Sequence, residues 1–132
     1  MAHYPIRVEG ARPNESPYSP ALDTGSLIFV SGQVPLELST GALAGADFPT
    51  QVRRVLSNLV AHVEAAGLRP QDVAQVTVYM TNMSDFAEMN SAYREFFGEP
   101  YPARVTVGVS GLAKPEFSVE MDAVAVRSAA RR

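Results

Sequence analysis

The chain has 132 residues, close to the commonest size of a single domain, so one domain spanning residues 1–132 is expected. Its 46% hydrophobic and 19% charged content excludes a disordered chain, and a net charge of −3 argues against nucleic-acid binding. The absence of cysteine excludes disulfides, thiolate nucleophiles and cysteine-based metal sites. No apolar run is long enough for a membrane span and the N-terminus does not resemble a signal peptide, so a cytoplasmic protein is expected.

The first third of the chain predicts strands joined by turns. Residues 6–9 are a candidate short edge strand, and the turn at residues 23–25 leads into an apolar strand at residues 27–31. A second turn at residues 39–41 predicts a hairpin-like return before the first helix.

The first helix is the clearest element of the sequence. Valines and leucines recur at helical spacing from Val52 to Val63, which predicts one apolar stripe. Asp47 is the expected N-cap, Pro49 lies in the first turn, and Gly67 is the expected stop.

The second half predicts three more strands and one helix. Val73–Met80 alternates as a strand does, and Ser84 is the expected N-cap of the second helix. The buried stripe of this helix is expected to consist of Phe86, Met89, Tyr93 and Phe97. Residues 103–109 and 117–126 are the last two strands, and Arg131 and Arg132 are expected to form a solvated tail.

The order β-β-β-α-β-α-β-β predicts an α+β fold, a mixed sheet with two helices on one face. Residues 27–30 and 123–126 are apolar at every position, so both faces of these strands need cover. Two helices cover only one face. The other face is expected to meet another subunit, with a loop folded over it as the alternative.

Arg104 begins a strand in which Val105, Val107 and Val109 alternate with Arg104 and Thr106. The valines are expected to face the core and the arginine the other side. A partly buried guanidinium keeps its charge and needs an anionic partner. That partner is either an internal carboxylate, Glu120 or Asp122, or the carboxylate of a ligand.

Glu120 alternates with apolar residues in the last strand, which makes it a general-base candidate if a cavity confines it. The alternative is a solvated strand face. Asn90 lies on the inward stripe of the second helix, where its amide is expected to tie the helix to a loop.

Other kinds of site find little support in the sequence. Ser31 and Gly32 end the apolar strand, and the glycine suggests a close backbone approach. A serine nucleophile needs a histidine base, and only His3 and His62 are present, so a catalytic triad and a zinc site are both disfavoured. There is no glycine-rich phosphate loop.

Six successive segments of the chain form a recognisable set, namely SPYSPA, IFVSGQVP, NLVAHVEAAGL, VTVYMTNMSDFAEMNSAYREFF, YPARVTV and VEMDAVAV. Together they resemble the signatures of the RidA (YjgF) family of enamine/imine deaminases. The resemblance runs over residues 16–127 and implies a chorismate-mutase-like α+β protomer. It also implies a homotrimer with three sites in clefts between subunits.

The resemblance also implies roles for single residues. Arg104 matches the arginine that binds the substrate carboxylate, and Glu120 matches the glutamate that holds the hydrolytic water. Tyr18 matches a tyrosine that lines the cleft, and Gly32 matches a glycine whose backbone lies against the ligand.

Two further positions match residues near the family's site. Asn90 matches an asparagine that supports the loops of the site. Thr106 stands where several members have cysteine, and backbone groups there contact ligand and water.

The activity implied by the resemblance is hydrolysis of 2-aminoacrylate-type enamines and 2-imino acids to 2-oxo acids and ammonia, without a metal or organic cofactor. Alternatives are a pathway-specific aminoacrylate or aminomuconate deaminase and a trimer that binds small carboxylates without catalysis. The endoribonuclease or translation-inhibitor activity attached to the family by name is disfavoured by the acidic pI near 5.3 and the lack of a basic stripe.

Overall fold

The computed structural model describes residues 2–128, so Arg131 and Arg132 lie outside the described residues. The strands and α-helices, in chain order, are β1 (Tyr4–Pro5), β2 (Ala21–Asp23), β3 (Leu27–Gln33), α1 (Phe48–Ala65), β4 (Val73–Met80), α2 (Phe86–Phe96), β5 (Ala103–Gly108) and β6 (Val119–Val126). Short 3-10 turns precede β4 and α2, at Pro70–Asp72 and Met83–Asp85. The order of element types is the predicted one, although β2 was not predicted at Ala21–Asp23 and the expected return after residues 39–41 is no more than a single bridge.

The strands form one six-stranded sheet in the order β1-β2-β3-β6-β4-β5. Every neighbouring pair is antiparallel except β4 and β5, which are parallel, so the sheet is mixed as predicted. Buried side chains of β3, β6 and β4 form a single hydrophobic core with the inner faces of α1 and α2. Both helices therefore pack on one face.

No helix within residues 2–128 combines the length and apolar character required to cross a membrane.

Helix α1 has the ends that the sequence predicts. The Asp47 side chain accepts a hydrogen bond of 3.0 Å from the backbone N–H of Thr50, which satisfies one of the free donors of the first turn. Gly67 follows the helix with φ of +82°, a conformation that favours glycine, so it ends the helix there. The turn at residues 39–41 is also confirmed, because Leu36 and Leu43 pair across it.

Three local predictions are wrong. The first strand is Tyr4–Pro5 rather than residues 6–9, because the residues that pair with β2 are Tyr4 and Pro5. Ser84 is not an N-cap, since the Asn82 side chain accepts its backbone N–H and caps the 3-10 turn instead. Phe86 belongs to the first turn of α2 and is 39% exposed, whereas the rest of the predicted stripe is buried.

The orientation of β5 is the reverse of the predicted one. Val105 and Val107 are 47% and 37% exposed, whereas Arg104 lies against the rings of α2 on the helix-covered face. This arrangement is physically reasonable because the aromatic rings of α2 accept a cation that a purely aliphatic core would exclude.

The face of the sheet opposite the helices, here called the open face, carries an apolar surface. Phe29 is 44% exposed on it, and Val124 and Val126 of the neighbouring strand are half-buried. Neither α1 nor α2 covers these side chains. The doubly apolar strands of the sequence therefore do have an uncovered side, and the second subunit expected there stays a prediction.

Candidate active site

Glu120 lies on the central strand β6 and points to the open face. Its strand neighbours are Tyr79 of β4 on one side and β3 on the other, and its side chain is half-buried. A Cβ built on Gly32 would overlap the Glu120 carboxylate oxygen. The carboxylate thus rests directly on the backbone of residue 32, which explains why glycine is required there.

The surroundings of Glu120 favour its protonated form. Burial raises the pKa of its carboxyl group above the usual value, and the negative charge of Asp122 raises it further. Asp122 itself accepts a hydrogen bond of 2.8 Å from the Tyr79 hydroxyl. The Glu120 side chain makes no hydrogen bond or ion pair within residues 2–128, so its carboxylate oxygens remain available to a ligand or water.

A cleft of about 620 Å³, here called the carboxylate cleft, surrounds Glu120. Its lining includes Tyr18, Phe29, Ser31, Gly32, Asp122 and Val124. Tyr18 is 56% exposed, and its loop is held in place by the Asn14 side chain, which donates to the Tyr18 carbonyl. The Ser31 hydroxyl donates a 2.6 Å hydrogen bond to the Ser19 carbonyl, so its role is structural. Tyr18, Gly32 and Glu120 are therefore brought together as the resemblance implies.

Arg104 lines a second cleft, of about 380 Å³, on the helix-covered side of the sheet. This guanidinium cleft is lined by Asn90, Tyr93, Arg94, Tyr101, Pro102 and Arg104. The Arg104 Cζ lies 4.9 Å from the ring centroid of Tyr93 and 5.8 Å from that of Phe86. These contacts position the guanidinium by cation–π attraction and leave its N–H groups largely unused.

The internal ion pair, one of the two alternatives that the sequence left open for Arg104, is not formed. Within residues 2–128 its guanidinium has no carboxylate within 4.0 Å, and it donates one weak hydrogen bond of 3.7 Å to the Met89 sulfur. Glu120 and Asp122, the internal candidates, lie on the opposite face of the sheet. A guanidinium without a counter-ion in an open cleft can bind the carboxylate of a ligand through two parallel hydrogen bonds.

Asn90 and Thr106 lie on the same side as Arg104. Asn90 is half-buried in the guanidinium cleft and makes no side-chain hydrogen bond within the described part of the chain, so its predicted tie to a loop is wrong. Thr106 follows Arg104 on the same face of β5 and pairs with the buried Val78. Both side chains can therefore face a molecule held by Arg104.

Tyr93, Arg94 and Tyr101 are lining residues that the sequence reasoning missed. The Tyr93 hydroxyl is buried without a hydrogen-bond partner among residues 2–128, and burial raises the pKa of Tyr93 to about 12. A usable signal existed for Arg94, because it follows Asn90 by one helical turn and must share its face.

A single protomer does not bring Arg104 and Glu120 together. Glu120 is level with Tyr79 and Val107 across the sheet, whereas Arg104 is level with Val76. Two strand spacings and three residues along the strand separate their backbones by roughly 14 Å, and their side chains leave opposite faces. A site that uses both groups has to combine the carboxylate cleft of one copy with the guanidinium cleft of another.

Among residues 2–128, no group of three or more histidine, cysteine, aspartate or glutamate side chains could hold a metal ion.

The mixed sheet, the two helices and the two polar clefts define a small α+β protein with an arginine that has no carboxylate partner in one cleft and a half-buried glutamate in the other. The family model described as Endoribonuclease L-PSP matches residues 9–127. The chain therefore belongs to this family, which is the RidA (YjgF) family.

Two curated relatives illustrate the similarity. The chain is 44% identical over 127 residues to a RutC family protein of Pyrococcus abyssi, a match that covers 96% of this chain and 99% of the relative. It is 41% identical to the 2-iminobutanoate/2-iminopropanoate deaminase of Salmonella typhimurium, covering 92% of this chain and 96% of the relative. The crystal structure of E. coli TdcF with bound serine has a TM-score of 0.87 and 40% identity, and the match covers 95% of this chain and 99% of that one.

Proposed function

We propose that the protein hydrolyses 2-imino acids and their enamine tautomers of the 2-aminoacrylate type to 2-oxo acids and ammonia. The observation that carries this proposal is the Arg104 guanidinium, which lines an open cleft without a carboxylate partner among residues 2–128. Relatives that cover nearly the whole chain are named 2-iminobutanoate/2-iminopropanoate deaminase, which supports the same reaction. The serine bound to TdcF shares the small size and the carboxylate of such substrates.

The working form is proposed to be a homotrimer with three sites between neighbouring subunits. Two features of the protomer support this arrangement. Glu120 and Arg104 leave opposite faces of the sheet, so both can act on one substrate only across a subunit boundary. The apolar open face around Phe29 would be covered by the same association.

The proposed reaction begins with binding of the substrate carboxylate by Arg104, with Asn90 and Thr106 beside it. This fixes the imine carbon in front of a water molecule that the ionised Glu120 of the neighbouring copy holds. Water attacks the C=N carbon, and Glu120 takes a proton from the water as the C–O bond forms.

Glu120 then gives that proton to the nitrogen, which completes a carbinolamine. In the second half of the reaction Glu120 carries the hydroxyl proton of the carbinolamine to the nitrogen, the C–N bond breaks, and ammonia leaves as the carbonyl forms. One water is consumed for each ammonia released, and no electrons are transferred. A pKa raised above the usual glutamate value suits both steps, because the same group accepts and donates the proton.

A semicarbazide competition assay tests the proposal. An amino-acid oxidase generates imino acids, semicarbazide traps them, and an active deaminase lowers the yield of semicarbazone. Arg104→Ala is expected to lower kcat/KM by about 100-fold or more, and Glu120→Gln to slow hydrolysis similarly. Arg7→Ala and Glu64→Gln, which remove exposed charges outside both clefts, are the matched controls and are expected to retain full activity.

The outcomes separate the alternatives. If the wild type leaves semicarbazone formation unchanged for every imino acid but binds small carboxylates through Arg104, the protein is a binding module and the hydrolase proposal fails. Size-exclusion chromatography with light scattering checks that each variant keeps the assembly of the wild type, and a monomeric wild type would refute the shared site.

A further inference from the structure

The guanidinium cleft contains two arginines and no acidic residue. Arg94 and Arg104 both line it, together with Asn90 and two tyrosines. Two cations that share a small cleft repel each other, so the cleft favours a ligand with more negative charge than one carboxylate carries. Its volume of about 380 Å³ lies within the usual range for small-molecule sites.

The acidic residues of α2 do not neutralise this cleft. Glu88 and Glu95 both bind Arg53 of α1, at 3.2 Å and 2.6 Å, and are therefore engaged on the side where the two helices meet. Arg94 is exposed and has no ion pair or side-chain hydrogen bond within residues 2–128. Helix α2 thus separates its charges, with the carboxylates toward α1 and the guanidinium toward the cleft.

Tyr93 provides an independent sign that a polar ligand belongs here. It lines the cleft, it is 3% exposed, and its hydroxyl has no hydrogen-bond partner among the described residues. A buried phenol without a partner is unfavourable, and a bound water, ion or polar ligand that reaches the hydroxyl would remove this cost.

We propose that the site prefers 2-imino dicarboxylates, with Arg104 binding the carboxylate next to the imine and Arg94 binding the distal one. This inference rests on the proposed function, because it takes the Arg104 end of the cleft as the place where the imino acid is anchored. Asn90, one helical turn before Arg94, lines the same cleft, so its amide can hydrogen-bond a carboxylate held there.

The test compares the four-carbon pair iminosuccinate and 2-iminobutanoate, generated by suitable amino-acid oxidases. The wild type is expected to have a kcat/KM for the dicarboxylate about five- to tenfold higher than for the monocarboxylate, the range of a partly solvated charge-assisted contact. Arg94→Gln should bring this ratio close to one by lowering kcat/KM for iminosuccinate more than that for 2-iminobutanoate. Arg7→Gln, which removes an exposed guanidinium elsewhere, should leave the ratio unchanged.

Calorimetric binding of succinate and butyrate provides a readout that needs no turnover. Succinate is expected to bind the wild type more tightly than butyrate does, and Arg94→Gln should remove the difference. Equal rates and equal binding for the two ligands would overturn the inference while leaving hydrolysis intact. The inference is also overturned if Arg94→Gln weakens both substrates equally, since Arg94 would then bind the same carboxylate as Arg104. Absence of any turnover together with Arg94-dependent succinate binding would refute the hydrolysis and support the two-carboxylate site.

Discussion

Gly32→Ala should remove activity while leaving the fold almost unchanged. The new Cβ would overlap the carboxylate oxygen of Glu120 and lie 2.9 Å from its Cδ, so this carboxylate has to move. Reaching van der Waals distance needs a displacement on the order of 1.5 Å. Because a misplacement of about 1 Å costs about 100-fold in rate, kcat/KM should fall by about that factor. Rotating an unpaired side chain off its rotamer costs only about 0.5–1.5 kcal/mol of stability.

The assay combines imine hydrolysis with urea unfolding, and Gly111→Ala is the matched control because a Cβ there meets no atom within 4 Å. In a Glu120→Gln background, Gly32→Ala should cost much less activity than in the wild type, since both changes act through one carboxylate. Activity of Gly32→Ala within threefold of the wild type would refute the reasoning. An equal loss in both backgrounds would show that residue 32 acts by another route.

Three further changes have definite expected results. Asp122→Asn should move the acidic limb of the kcat/KM–pH profile to lower pH, because the pKa of Glu120 is raised by burial and then by the Asp122 charge, and only burial would remain. An unmoved limb in a folded variant would contradict this cause. Leu56→Ala, in the fully buried stripe of α1, should lower the free energy of unfolding in urea by about 2–5 kcal/mol. Tyr93→Phe should leave that free energy unchanged or raise it by up to about 1 kcal/mol, because the hydroxyl loses no partner. A clear loss of stability in Tyr93→Phe would show that the hydroxyl makes a hydrogen bond in the free protein, which contradicts this prediction.

The sequence predicted the fold where local signals and burial agree. Helix α1 has its cap at Asp47, its apolar stripe and its stop at Gly67, and all three are confirmed. Residues 103–108 show the limit of this reasoning. Alternation indicates that the side chains of Arg104 and Val105 point to opposite faces of the sheet, but it does not indicate which face the helices cover. The aromatic rings of α2 decide that, through a packing contact between helix and strand that the alternation within residues 103–108 does not specify.

The sequence indicated individual residues of the candidate site but not how these residues are arranged in space. Tyr18, Gly32 and Glu120 do share a cleft, and Arg104 does lack an internal partner. Their division between two faces follows from strand register, which no spacing in the sequence specifies. Arg94 was missed because an exposed arginine on a helix usually indicates only a solvated face.

The sheet order has a consequence for how the protein loses activity on heating. Glu120 lies on β6, which has a strand on each side, whereas Arg104 lies on β5 at the edge of the sheet. Edge strands open more readily than central ones, so amide hydrogens of β5 should exchange with solvent well before those of β6. The protein would then lose Arg104, the proposed substrate anchor, at a temperature where Glu120, the proposed proton-transfer group, is still in place. Thermal inactivation should accordingly begin as a rise in KM, with kcat falling only when the whole sheet unfolds.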